Sequence, residues 1–181
     1  TAGLGGHSVL IAERLDSGRL LALDRDPDAV LLASERLRPY PCASVHHRNY
    51  GELDALLGEL DITSVDGVLL DAGVSSMQLD TPDRGFSFQQ DGPLDMRMDT
   101  SSGPTAAEYL QHCTEDELFR ALKDFGDVRP ARRLAHHILA RARDNRRTRT
   151  GDLAEAIGEA LPFVKGQPEE TRTVFQAIRM A

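Results

Sequence analysis

Two aspartates close short apolar runs: Asp24 ends Arg19-Leu20-Leu21-Ala22-Leu23-Asp24, and Asp71 ends Val65 to Asp71, where Val68, Leu69 and Leu70 are contiguous. Ahead of both, Gly3, Gly5 and Gly6 precede His7-Ser8, with Asp24 placed 19 residues after Gly5. Glycines let a backbone turn tightly and approach a ligand at a helix amino terminus. In nucleotide-binding α/β folds, an acid at the end of the second strand accepts hydrogen bonds from ribose hydroxyls at about this distance from the glycine loop. Asp26-Pro27 already supplies a helix cap, which frees Asp24 for a ligand. The set points to an adenosine-bearing cofactor. It does not separate a nicotinamide dinucleotide from S-adenosylmethionine, because both present ribose hydroxyls to the same acid.

These residues need a scaffold, and the surrounding pattern supplies one. A first helix is expected from the glycines to about Leu15, and a strand over Arg19 to Asp24. A helix follows with Val30, Leu31, Ser34 and Leu37 on its inner face, ended by Pro39 and Pro41. Ser44 to Tyr50 is a weaker strand, and Leu53, Leu56, Leu57 and Leu60 mark a helix from about Glu52 to Leu60. The run Val65 to Asp71 then reads as a strand buried on both faces. Strand and helix alternating in this way imply a parallel sheet with ligands at its carboxyl edge.

Past Gln78 the rhythm changes. Residues 80–103 are rich in Asp, Gly, Pro and Ser, with Phe86, Phe88, Leu94, Met96 and Met98 as anchors, and read as an ordered segment covering a ligand. Helices alone follow: Thr105 to Cys113, a second capped by Thr114 with Glu117 and ending near Gly126, a third opened by Pro130, and a fourth near Asp152 to Ala160. The switch from alternating to all-helical suggests an insertion between about residues 100 and 168.

The 181 residues suit one domain, or one with an insertion, and 40% hydrophobic with 28% charged residues is ordinary globular composition. No apolar run is long enough to span a bilayer, and a cytoplasmic protein without a membrane role is expected. Cys42 and Cys113 lack zinc-site spacing, and no metal is expected. The net charge of -8 conceals a basic stripe: residues 129–149 hold eight of the 21 Lys and Arg, against the single acid Asp144. Such a concentration is the footprint of phosphate contact and makes a nucleic acid the expected second substrate.

The stretches Asp71-Ala72-Gly73-Val74-Ser75-Ser76-Met77-Gln78-Leu79-Asp80, Arg84-Gly85-Phe86-Ser87-Phe88 and Asp91-Gly92-Pro93-Leu94-Asp95-Met96-Arg97-Met98-Asp99 closely resemble one family. It comprises the S-adenosylmethionine-dependent methyltransferases that modify N4 of a cytidine in small-subunit (16S) ribosomal RNA. Gly5-Gly6-His7-Ser8, Asp24-Arg25-Asp26-Pro27 and Phe175-Gln176-Ala177-Ile178-Arg179 match the same family. The resemblance implies a doubly wound, Rossmann-like α/β methyltransferase sheet with an all-helical insertion domain. It divides the chain into a cofactor-binding core over 1–99, a substrate-recognition insertion over 100–168 and a return to the core over 169–181. It assigns the cofactor to Gly5, Gly6, His7, Asp24, Tyr50, Asp71 and Gln78. Ala72 stands where the family usually has Leu, and Phe125-Gly126-Asp127-Val128 replaces an aromatic-Gly-Glu-Glu pattern.

The family also implies a strand directly before the glycine loop and further strands after Arg179. The chain thus reads as a fragment, expected to bind its cofactor poorly alone. Methyl transfer to an exocyclic amine requires the nitrogen to be rehybridised and held near the methyl. Asp71, accepting an N4 hydrogen, is the candidate catalytic group, with a purely cofactor-contacting role as the alternative. Arg97, Arg132 and Arg133 are the candidate RNA-phosphate contacts on the small-subunit rRNA. Two other readings stay open: a nicotinamide-dependent oxidoreductase and a non-catalytic RNA-binding ribosome assembly factor.

Overall fold

The computed structural model describes residues 1–143, 148–164 and 166–181. The chain divides into two compact units, one formed by 1–75 with 98–102 and the other by 76–97 with 103–181.

In the first unit, helix α1 (Gly6–Ala12) leads to strand β1 (Leu20–Asp24), helix α2 (Pro27–Leu37) and strand β2 (Ala43–His47). The strands pair in parallel, with Leu20 opposite Ala43 and Asp24 opposite His47. Asp26 caps α2 by accepting the Asp28 N–H at 3.0 Å, with Pro27 in the first turn. The buried face of α2 is Ala29, Ala33 and Leu37, whereas Leu31 and Ser34, expected inside, are exposed. Close approach decides this: a Cβ on Gly5 would stand 3.3 Å from the Ala33 Cα, a gap only small residues leave. Helix α3 (Leu53–Glu59) buries Leu56, with Leu53, Leu57 and Leu60 half-buried beside it.

The expected strand at Val65 to Asp71 does not form. Val68, Leu69 and Leu70 are 68%, 56% and 54% exposed, and no strand pairs with them among the described residues. An extended run is stable only when a neighbour takes up its N–H and C=O groups, so sequence pattern alone could not make this segment a strand. What lies at the free edge of β1 is Ala2, whose N–H donates to the Leu23 carbonyl at 2.7 Å. Leu20 and Asp24 bond toward the β2 side, through Cys42 and Arg48. By strand alternation Leu23 faces the opposite edge.

The second unit holds the short helix α4 (Ser76–Asp80) and helices α5 (Ala106–His112), α6 (Glu115–Gly126), α7 (Ala131–Ala142), α8 (Thr150–Ala160) and α9 (Glu170–Met180). Thr105 with Glu108, and Thr114 with Glu117, form reciprocal capping boxes on α5 and α6. The core of this unit gathers Leu110, Leu118, Leu122, Leu134, Ile138, Leu153, Ile157, Val174, Phe175 and Ile178. Segment 169–181 contributes α9, packed on α6.

Gly126 permits that packing, since a Cβ there would lie 2.8 Å from the Thr173 carbonyl oxygen. Helix α6 ends at Gly126, as expected, and the left-handed residue that follows it is Asp127, at φ 46°.

The glycine-rich segment is part of this core. Phe86, Leu94 and Met96 are buried and Phe88 packs edge-on against Phe175, with ring centres 5.3 Å apart. Gly85 and Gly92 allow backbone crossings that a Cβ would block, at 2.3 Å from the Pro93 oxygen and 1.9 Å from the Pro82 oxygen. Leu94 and Thr150 exchange backbone bonds with Thr148 and Gly92, each at 2.8 Å. Phe86, Phe88, Leu94 and Met96 thus serve helix packing within this unit.

Candidate cofactor-binding and catalytic site

The loop at residues 1–7 is the meeting point of the site. Gly3 and Gly5 adopt positive φ, 52° and 82°, so the loop turns where side chains are disfavoured. Asp24, leaving β1, holds it from one side: Oδ2 accepts the Gly3 N–H at 2.8 Å and Oδ1 accepts the Asp26 N–H at 3.0 Å. The expectation that Asp24 is free of structural duty therefore needs correction, because it fixes both the loop and the start of α2. Each carboxylate oxygen retains a second lone pair, so ribose hydroxyls remain within its capacity.

On the other side stands Asp71. Its Oδ2 is 3.7 Å from His7 Nδ1, with both side chains largely exposed, and the Thr1 hydroxyl donates to its carbonyl. Gly5, Gly6, His7, Asp24 and Asp71 are thus gathered around one loop, although Asp71 arrives there from an unpaired segment. Tyr50 opens a 3-10 turn capped by Asn49 and is exposed. Gln78 lies in the second unit, buried on α4.

The loop tests well against a bound nucleoside. Gly6 has an ordinary φ, and a Cβ built there meets nothing within 4 Å. Neither backbone strain nor packing demands glycine at position 6. Open space above an exposed glycine backbone is what close approach by a ligand requires.

Sequence reasoning overlooked His47 and Asp99. They lie 3.8 Å apart as His47 leaves β2, and the Ser101 and Ser102 hydroxyls donate to Asp99, whose carboxyl they hold below its usual range. The only sequence signal was the Asp-x-Ser-Ser turn. Among the described residues, no group of three or more His, Cys, Asp or Glu could hold a metal ion.

The proposed RNA contacts are unequally placed. Arg97 forks Asp95 through Nε and Nη2, both at 2.8 Å, so a phosphate there would have to displace that carboxylate. Arg132 reaches Asp116 at 3.3 Å and lies over the Phe119 ring at 4.4 Å. Arg133 is exposed on α7 and has no polar partner among the described residues. Elsewhere in the stripe, Arg141 pairs with Glu159 and Arg149 with Asp91, while Arg146 and Arg147 lie outside the described residues.

A parallel strand pair, a glycine loop at its edge and two acids gathered at that loop are the parts of an α/β protein. The family follows from comparison: residues 1–181 match the MraW methylase family, and the chain belongs to it. It is 47% identical over 182 residues to the ribosomal RNA small subunit methyltransferase H of Thioalkalivibrio sulfidiphilus, covering 99% of this chain and 58% of that protein. The proteins of the same name from Leptothrix cholodnii and Trichlorobacter lovleyi are 45% and 44% identical, over 99% and 100% of this chain and 57% and 59% of theirs. The chain therefore spans less than two thirds of the length of these relatives. No helix among the described residues is long and apolar enough to cross a membrane.

Proposed function

We propose that the protein this chain represents is an S-adenosylmethionine-dependent methyltransferase acting on N4 of a cytidine in 16S ribosomal RNA. One observation carries the reading: Gly3 to His7 is held between Asp24 and Asp71, in a chain whose relatives are named as small-subunit rRNA methyltransferases. Those names give no support to the nicotinamide oxidoreductase or the non-catalytic assembly factor.

The cofactor supplies an electrophilic sulfonium methyl. Asp24 holds the ribose hydroxyls while fixing the loop, Gly5 and Gly6 admit the nucleoside close to the backbone, and His7 and Tyr50 flank it. Asp71 accepts a hydrogen of the cytidine N4, which localises the nitrogen lone pair and favours the positive charge developing on it. His7 steadies that carboxylate from 3.7 Å. Gln78 is assigned to the cofactor on family resemblance alone. The target base has to leave its stack to reach these groups.

The first unit is read as the core of a doubly wound, Rossmann-like sheet and the helical unit as the RNA-recognition insertion, nominally 100–168. The bond from Ala2 to Leu23 supports a sheet that continues past β1 on the side away from β2. Arg133 leads the RNA contacts, joined by Arg132 on release from Asp116 and by Arg97 on release from Asp95. The deciding experiment is transfer of a radiolabelled methyl group to undermethylated small subunits by the full-length protein, with the product nucleoside identified. Transfer to N4 of a cytidine is expected, and absence of label in rRNA would overturn the reading.

A further inference from the structure

The Phe175-Gln176-Ala177-Ile178-Arg179 stretch has no part in the site described so far. Four of its five residues are explained by packing. Phe175 and Ile178 fill the core, Ala177 fits against Gly126, and Gln176 donates to the Phe125 carbonyl at 3.3 Å. Arg179 is the exception. It is half-buried, with its guanidinium carbon 5.1 Å from the centre of the buried Phe86 ring. Among the described residues it makes no hydrogen bond and no ion pair.

A guanidinium carries five N–H donors and cannot shed its charge. Burial alone pushes the Arg179 pKa down, with no acid to offset it. The Phe86 face offsets part of the desolvation but supplies no partner for the planar fork. A second guanidinium, that of Arg84, lies 5.7 Å from the same ring centre and adds positive potential there. A partly buried fork set on an aromatic plate, with its donors unspent, suits a phosphate: the geometry is bidentate and the anion replaces lost water.

We propose that Arg179, seated on Phe86, anchors a backbone phosphate of the RNA, an inference that rests on the substrate reading above. Arg179 is a sequence-independent contact, distinct from the residues around Asp71.

The test uses the full-length protein as wild type, Arg179→Gln and Arg179→Lys. A labelled single-stranded cytidine-containing RNA is titrated across a salt series, and inorganic phosphate is titrated against thermal stability. Arg179→Gln should bind the RNA with affinity lower by about tenfold. Its log affinity against log salt should flatten by roughly 0.7, the loss of one single-strand phosphate contact. Arg179→Lys should restore the slope but only part of the affinity, because a point charge cannot fork.

Phosphate should raise the Tm of wild type more than that of either variant, with cofactor affinity unchanged throughout. An unaltered salt slope together with equal phosphate responses overturns the proposal. If Arg179→Gln does not fold, the phosphate response decides: a weaker response in Arg179→Lys supports the site, and equal or absent responses remove it. A wild type that binds no RNA sinks the substrate reading, whereas RNA binding indifferent to Arg179 sinks only this one.

Discussion

The backbone N–H of Gly3 donates to Asp24 Oδ2 at 2.8 Å, tying the glycine loop to the end of β1. Because Oδ1 holds the Asp26 N–H, one carboxylate sets both the loop and the helix that follows. Asp24→Asn replaces an acceptor with a donor and leaves one of these amides without its partner. We expect a loss of about 1.5–3 kcal/mol of stability, read by denaturant unfolding, with weaker cofactor binding by calorimetry. Unchanged values for both would remove Asp24 from either role.

Gly5 and Gly6 should respond differently to alanine. At Gly5 the substitution meets φ 82° and the Ala33 backbone at 3.3 Å, so about 1–3 kcal/mol of stability should be lost. At Gly6, with ordinary φ and open space, stability should hold or rise slightly while cofactor affinity falls. Thermal melts and calorimetry on the two variants separate folding from binding.

Asp71→Asn in the full-length protein distinguishes the chemical role from a binding one. The catalytic assignment expects methyl transfer to fall on the order of 100-fold or more, with cofactor affinity nearly unchanged. Parallel loss of both would make Asp71 a cofactor contact only.

Arg133 and Arg132 sit side by side on α7, yet only Arg132 has a carboxylate and a ring to hold it. Arg133→Gln should therefore weaken RNA binding and flatten its salt dependence more than Arg132→Gln does. Arg132→Gln should in turn lower stability slightly through the lost Asp116 and Phe119 contacts, by about 0.5–1 kcal/mol. Equal salt slopes for wild type and Arg133→Gln would take this face of α7 out of the interface.

The Asp91 carboxyl is held below its usual range, first by the Arg149 hydrogen bond and then by the Gly151 N–H. A group whose pKa is lower folded than unfolded contributes stability above its ordinary value, 3.8, and loses it as the pH falls through the folded value. Asp91→Asn should lower stability at neutral pH and flatten the acid limb of a stability–pH curve below about pH 4. An acid limb identical to wild type would exclude this pair as its source.

The sequence by itself determined the local elements and the chemical groups. Cap chemistry at Asp26-Pro27, Thr105 and Thr114 fixed three helix starts within a residue or two, because a cap is a contact between near neighbours. Glycine spacing and the acid at Asp24 were legible for the same reason: loop and strand end are short-range features with few ways to fold.

Tertiary structure alone decided what depends on a partner distant in the chain. Val65 to Asp71 has the composition of a buried strand, but a strand is completed by its neighbour's hydrogen bonds, and no neighbour lies beside it among the described residues. Gly85, Gly92 and Gly126 are points where two backbones approach too closely for a side chain, which no local pattern reveals. The arginines read as one basic stripe, yet Asp91, Asp116 and Glu159 claim three of them, since charge pairing is set by distance in space and not by position along the chain.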